Sequence, residues 1–404
     1  MKSMLIHEWK MMVKSKKNVL FVMALVVLIL SYCFIFLPNK ETNDTFDPEK
    51  AKQQIQNLEA VQQGKKARGA TGFSTMSGRA VYAENEYSIK LLSKLVTSYE
   101  DGDFVRFAHL KLLDFLKNGV PTDEKLLEQS IFLSNDYQFA FNQTTLRYQG
   151  YLEEELPVTY EMIEQKTALQ TIQNFLLGTA VLGIIFVAIY FSSDMLTRDR
   201  QNKTVLQGLP IGWYRLINIK SFVSFSYTII ILAALLVIAS IVLTILNGFG
   251  SFDIRVPITL PRAEPEYGFS FNQYDTISIG TFLMKGLAFF FILIYLFIRL
   301  NAMLGLLFKN AWLVLMVSTV LLFSELIYFS RTTNKLFGID ISNFPQTYFE
   351  FGKIISGEKM FLVNVESITY GKGLIVLAIT LLIIEIALYV TSRFITKRRF
   401  YHGV

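Results

Sequence analysis

Three ionisable residues interrupt long apolar runs in this chain: Lys285, Glu325 and Glu385. A charge placed in hydrocarbon costs at least about 2.5–3.5 kcal/mol on insertion scales. Such a residue therefore faces a helix bundle or an aqueous cavity, or snorkels to the interface. Lys285 and Glu325 lie toward matching ends of consecutive runs, which suits snorkelling from the span ends, a place on a substrate path or an inter-helix pair between the two. Glu385 lies deeper in its run, where an inter-helix contact or a place on a substrate path is expected. Little other chemistry is visible. The single cysteine, Cys33, excludes an intrachain disulfide and a thiolate zinc site. His7, His109 and His402 are too scattered to suggest a metal site or a triad, and no metal is expected. There is no G-x-x-x-x-G-K-[ST], H-E-x-x-H, G-x-S-x-G or C-x-x-C, so neither catalysis nor a cofactor is expected within this chain.

The elements that must position these residues are apolar helices. Of 404 residues 52% are hydrophobic and only 18% charged, against about 25% charged in an ordinary soluble domain. About 20 apolar residues cross a bilayer core. Six runs qualify: 19–37, 175–193, 222–246, 281–298, 311–329 and 374–395. The first ends at Pro38 and Asn39 without a small-x-small cleavage site, so it reads as a span and not as a signal peptide.

Lys and Arg in short loops set orientation. They gather before the first run, after the second, after the fourth (Arg299 and Lys309) and after the sixth. Six alternating spans bring all four groups to one side, with both termini cytoplasmic in a cell membrane. The net charge of +6 is then a basic inner face set against an acidic outer one, and it argues for topology, not for a nucleic-acid partner. The expected class is an all-α polytopic membrane protein. Its parts are an interfacial helix at 1–18, a span at 19–37, a large, mostly helical extracytoplasmic domain at 38–170, and a span at 171–193. A cytoplasmic segment at 194–220 follows, then spans three to five within 221–329 with an external loop at 247–280. An external aromatic loop at 330–373, a final span at 374–395 and a tail at 396–404 complete the chain.

Within the external domain, 48–67 is polar and Gln-rich. Apolar stripes at helical spacing (Ile89, Leu92, Val96, then Phe104, Ala108, Leu112, Phe115) predict two further helices, and 157–173 predicts a helix running straight into the second span. In the first segment Met4, Leu5, Trp9, Met12 and Val13 recur at helical spacing among Lys10, Lys14, Lys16 and Lys17. This pattern predicts a helix lying in the interface against anionic headgroups. The segment 194–220 is too polar to cross and too long for a simple turn. Its Leu209-Pro210 step suggests one short helix ending before another begins.

Taken together, the LIHEWKMMVKSKKN opening, the large external domain and an R-x-x-x-T…LPI…LI-x-x-K segment resemble type-2 ABC transporter permeases, in architecture over the whole chain. The resemblance implies that 194–220 is a coupling helix docking on a cytoplasmic ATPase through Arg200, Thr204, Leu209, Pro210, Ile211, Leu216 and Lys220. The usual Glu-x-Gly before the Thr is replaced here by Gln201, Asn202 and Lys203. Gly305, Lys309 and Asn310 resemble the family's tight turn before the fifth span, and short re-entrant helices are implied at 330–373. The resemblance further implies two ATPase subunits carrying ATP and Mg, a second permease copy or paralogue, and residence in a bacterial plasma membrane. It also implies export of a peptide, antimicrobial or other amphipathic, lipid-like substrate. The alternative from another class is a membrane-anchored peptide sensor or immunity protein that binds through 38–170 without transport.

Overall fold

The computed structural model describes residues 2–73, 80–120, 133–154, 156–201, 211–262 and 273–402. Helix α1 (Lys2–Lys14) is followed by α2 (Lys16–Ser31), which continues through a π turn at Tyr32–Phe36. The helices α3 (Pro48–Ala67), α4 (Val81–Glu100), α5 (Phe104–Asn118) and α6 (Leu133–Glu153) form a layer at one end of the molecule. The chain returns through α7 (Tyr160–Ile163), α8 (Ala168–Leu177), α9 (Val181–Ser192) and α10 (Thr197–Gln201). Then come the 35-residue α11 (Trp213–Asn247), α12 (Ile279–Leu307) and α13 (Ala311–Tyr328). Short helices α14 (Phe351–Ile355) and α15 (Glu358–Val363) precede α16 (Tyr370–Phe394) and α17 (Lys397–His402).

Six of these segments are long and apolar enough to span a bilayer: Lys16–Phe36, Val181–Asp199, Trp213–Asn247, Ile279–Leu307, Ala311–Tyr328 and Tyr370–Phe394. The protein is an all-α polytopic membrane protein. Leu20, Val27, Leu28, Val237, Ile241, Ile245, Ile375, Leu382 and Ile386 are exposed along these helices, as lipid-facing side chains would be. The central post is α12, which buries Phe282, Phe289, Leu293 and Phe297 and packs most extensively on α16. The rings of Phe289 and Phe351 lie parallel at 5.9 Å, and Tyr370 meets Phe289 edge-on at 5.5 Å. We call the end of the bundle where α1 and α17 meet the termini end, and the other the far end.

The far-end layer is pinned to the bundle by polar contacts that a stripe reading does not reveal. Buried Asp44 accepts from Arg147 (2.8 Å), from the Tyr148 hydroxyl (3.0 Å) and from Gln165 (3.0 Å). Burial, with Asp44 alongside, holds the Tyr148 phenol well above its usual pKa. Fully buried Asp136 takes both arms of Arg331 at 2.7 and 2.6 Å. Phe46, Tyr99, Phe107 and Tyr160 form an aromatic cluster above this anchor. The α3 and α5 boundaries agree with their sequence signals. In α4 the core falls on Leu91, Leu95 and Val96, so the buried stripe is turned slightly from the one predicted.

Three expectations are corrected. The segment 157–173 does not run straight into the second span: α7, α8 and α9 are separate, and the chain breaks at Gly178, whose ψ of 166° is extended. The loop 247–280 contains an antiparallel hairpin, β1 (Arg255–Leu260) with β2 (Gln273–Ser278), registered Arg255 to Ser278. Pro257 argues against a strand, but in a two-stranded ribbon both strands are edges and the missing N–H costs nothing. The aromatic loop 330–373, whose composition predicts rings settling in the outer interface, turns several of them inward instead. Tyr348, Phe349 and Phe351 are buried in the bundle, while Phe337, beside a small hairpin of β3 (Lys335–Leu336) and β4 (Ile339–Asp340), is exposed. Gly352 lets this loop seat so closely that a Cβ there would lie 2.0 Å from the Leu176 carbonyl oxygen.

Candidate functional site

At the termini end, two buried charge clusters tie together the elements that the sequence singles out. The first centres on Lys220, near the start of α11. Its Nζ donates to Glu8 Oε1 at 2.7 Å and to Asp199 Oδ1 at 3.1 Å, and Arg198 stands 3.7 Å from Glu8 Oε2. The Lys220 side chain is 1% exposed. One cation thus joins α1, α10 and α11, with Glu8 lying 212 positions away in the chain. Nearby, Lys17 reaches the Tyr190 carbonyl and the Ser193 hydroxyl, both at 3.2 Å, and Asp194 at 3.6 Å. Asn18 donates to the Met12 carbonyl at 3.0 Å, closing the corner between α1 and α2.

Apolar packing reinforces the join. Met4, Met195, Leu196, Leu216, Ile217, Ala302, Leu306, Leu388 and Phe400 form one core around which Ile211 and Trp213 are half-buried. Trp9 meets Tyr227 edge-on at 5.8 Å. The Met4–Trp9–Met12 face of α1 is therefore covered by α11 rather than by lipid. Ile6, Met11 and Val13 stay exposed, with Lys10 and Lys14 beside them, and these can meet the membrane surface.

The second cluster lies deeper. Arg299 grips Glu385 through Nε to Oε1 (2.6 Å) and NH2 to Oε2 (2.5 Å), a bidentate arrangement. Arg299 also donates to Asn218 (2.9 Å) and Ser221 (3.1 Å), while the hydroxyls of Tyr214 and Tyr295 donate to Glu385 at 3.3 Å. The expected position of Arg299 in a turn after the fourth span is corrected. α12 runs on to Leu307, and Arg299 is 2% exposed inside the bundle. Asn310, in the turn itself, caps α13 by accepting from the Trp312 N–H at 2.9 Å.

The far end holds a matching quartet. Lys359 pairs with Glu325 (2.9 Å) and Glu350 (3.0 Å), and Lys353 pairs with Glu350 (3.2 Å). The Lys285–Glu325 pair is therefore not formed: α15 brings Lys359 over the end of α13, while Lys285 sits over the Tyr370 ring at 5.6 Å. Burial opposes the charge on Glu350, but Lys359 and Lys353 outweigh it and hold the carboxyl below the ordinary range. Glu358 has no such pair among the described residues, and burial pushes it up.

A family model described as ABC-2 family transporter protein matches residues 3–391. The chain belongs to this ABC-2 transporter family. It is thus the membrane component of an ABC transporter, a multi-pass permease of a family that works with a separate ABC ATPase. No curated protein and no solved structure matched the chain.

Of the residues assigned to coupling in this permease, Arg200 falls in α10, and Thr204, Leu209 and Pro210 lie outside the described residues. Leu216 and Lys220 are buried within the chain, so neither side chain is offered to another subunit. They hold α11 to α1 and α10. Ile211 is half-buried and Arg215 exposed. Sequence reasoning missed Glu8 and Asp199, the acids that Lys220 needs. The visible signal was two isolated acids within strongly basic segments.

Proposed function

We propose that this permease is the membrane half of an ATP-driven exporter, working as a dimer with itself or a paralogue on two ATPase subunits. The termini end is then the cytoplasmic face of a bacterial plasma membrane, and ATP and Mg are held by the ATPase. Its substrate class is a peptide, an antimicrobial compound or another amphipathic, lipid-like molecule. The observation that carries this reading is the Glu8–Lys220–Asp199 join. A push on 194–215 meets a rigid assembly of α1, α10 and α11, so force applied there moves whole helices instead of bending a loop. The Arg299–Glu385 clamp passes the same displacement from α12 to α16.

Co-purification tests this. The full chain should carry down an ATPase encoded beside it, and Leu209→Asp with Ile211→Asp should release that ATPase while the permease remains folded. A chain that purifies alone, with no ATPase encoded nearby, would overturn the reading.

A further inference from the structure

A cavity of about 520 Å³ opens at the far end of the bundle, lined by Phe252, Asp253, Ser278, Thr281, Lys285 and Tyr370. It is a wide, open depression on the surface and not an enclosed pocket. Lys285 is half-buried, rests on the face of Tyr370, and makes no ion pair among the described residues. The first amides of α12 are already satisfied. Ile279 N–H donates to the Ile254 carbonyl (2.9 Å), Gly280 N–H to the Phe252 carbonyl (3.1 Å) and Thr281 N–H to Ser278 Oγ (3.2 Å). Attraction for an anion in this cavity therefore comes from the Lys285 ammonium, with the Ser278 and Thr281 hydroxyls beside it. Asp253, exposed at the rim, supplies one negative charge, so the cavity carries one charge of each sign.

Toward the membrane the cavity leads onto an apolar track. Met284, Leu287 and Phe291 follow one another at intervals of three and four along α12 and are all exposed. An open depression of mixed polar and apolar lining, with one charge of each sign, beside an exposed apolar stripe matches an amphiphile with a zwitterionic head. A soluble anion would meet Asp253 and gain nothing from the stripe.

We propose that this cavity is a headgroup site for a phospholipid with a primary ammonium, of the phosphatidylethanolamine class, in the leaflet at the far end. The phosphate sits on Lys285 with the Ser278 and Thr281 hydroxyls. The ammonium donates to Asp253, which a choline headgroup cannot do. One acyl chain follows Met284, Leu287 and Phe291.

The test is native mass spectrometry of the full chain released from nanodiscs of mixed phosphatidylethanolamine, phosphatidylcholine and phosphatidylglycerol. The wild type should retain the ethanolamine lipid in preference to the other two. Lys285→Gln should lower the retained fraction about tenfold, as expected when a charged hydrogen-bond partner is lost. Lys285→Arg, which keeps the charge, should retain the lipid, so a loss in Lys285→Gln is not a loss of fold. Asp253→Asn should shift the preference toward phosphatidylglycerol. Equal retention by Lys285→Gln, or an unchanged preference in Asp253→Asn, would overturn the assignment. Because the readout is bound lipid, it does not depend on transport or ATP turnover.

Discussion

The two ends of the bundle hold buried quartets of the same composition, two acids and two bases. At the termini end these are Glu8, Asp199, Arg198 and Lys220. At the far end they are Glu325, Glu350, Lys353 and Lys359. They differ in what they connect. Lys220 joins residues 212 positions apart, bringing the first helix against the third span. Lys359 joins acids only 9 and 34 positions away, fastening a short helical loop over the end of α13. The same chemistry thus serves as a long-range strut at one end and as a local latch at the other. Burying charges is costly in both places, and the cost is met only while each cation keeps its acids.

Breaking the strut should have the largest effect. Lys220→Met strips buried Asp199 of its hydrogen-bonded cation and leaves Glu8 only the more distant Arg198 (3.7 Å), and should destabilise the chain by about 3–5 kcal/mol, read as a fall in the thermal midpoint. Glu8→Gln leaves the Lys220–Asp199 pair and should cost only about 1–2 kcal/mol. If both variants melt alike, the cation is not the keystone of that end.

The latch should be more tolerant. Lys359→Met strips Glu325 of its partner, but Lys353 remains on Glu350, so a loss of about 2–3 kcal/mol is expected, below the full cost of an orphaned buried charge. Limited proteolysis should detect the loop at 330–369 opening while α1 stays protected. Cleavage near α1 instead would contradict the separation of the two ends.

pH sharpens the comparison further. Glu350 has a lowered carboxyl, so its contribution is present above the ordinary value of 4.5 and is lost as pH falls through its folded value. Glu358 is raised, so it acts in the opposite sense: stability falls as pH rises from 4.5 through its folded value. Glu350→Gln should flatten the acid-side loss, and Glu358→Gln should remove the decline on the other side. Thermal midpoints across mildly acidic pH would show both.

The smallest effect belongs to the surface. Lys10→Gln with Lys14→Gln should leave the thermal midpoint unchanged, since both side chains are exposed. Attachment of the α1 segment to anionic vesicles should weaken by about 1 kcal/mol per lysine removed.

Much of this architecture was legible in sequence, because spans declare themselves by length and apolarity. The six runs, the α3 and α5 boundaries and the basic character of the termini end all follow from local composition. What escaped was long-range pairing. Nothing near Glu325 announces Lys359, and the nearer-looking candidate, Lys285, faces its own cavity. Arg299 looked like a loop cation because charge was read as the end of a helix. A half-buried acid 86 positions away lets the helix continue. Leu216 and Lys220 match a docking motif by type, yet they point inward, since the face of a helix depends on what packs against it.

The central claim is that force enters through the segment before α11 and is passed on by the strut. It is tested most directly by measuring ATP turnover and efflux together, with the permease and its ATPase reconstituted in vesicles. With the wild type the two rates should rise in parallel. With Glu8→Gln, which keeps the fold, ATP turnover should persist while efflux per ATP falls severalfold. Unchanged efflux per ATP in that variant would contradict the account.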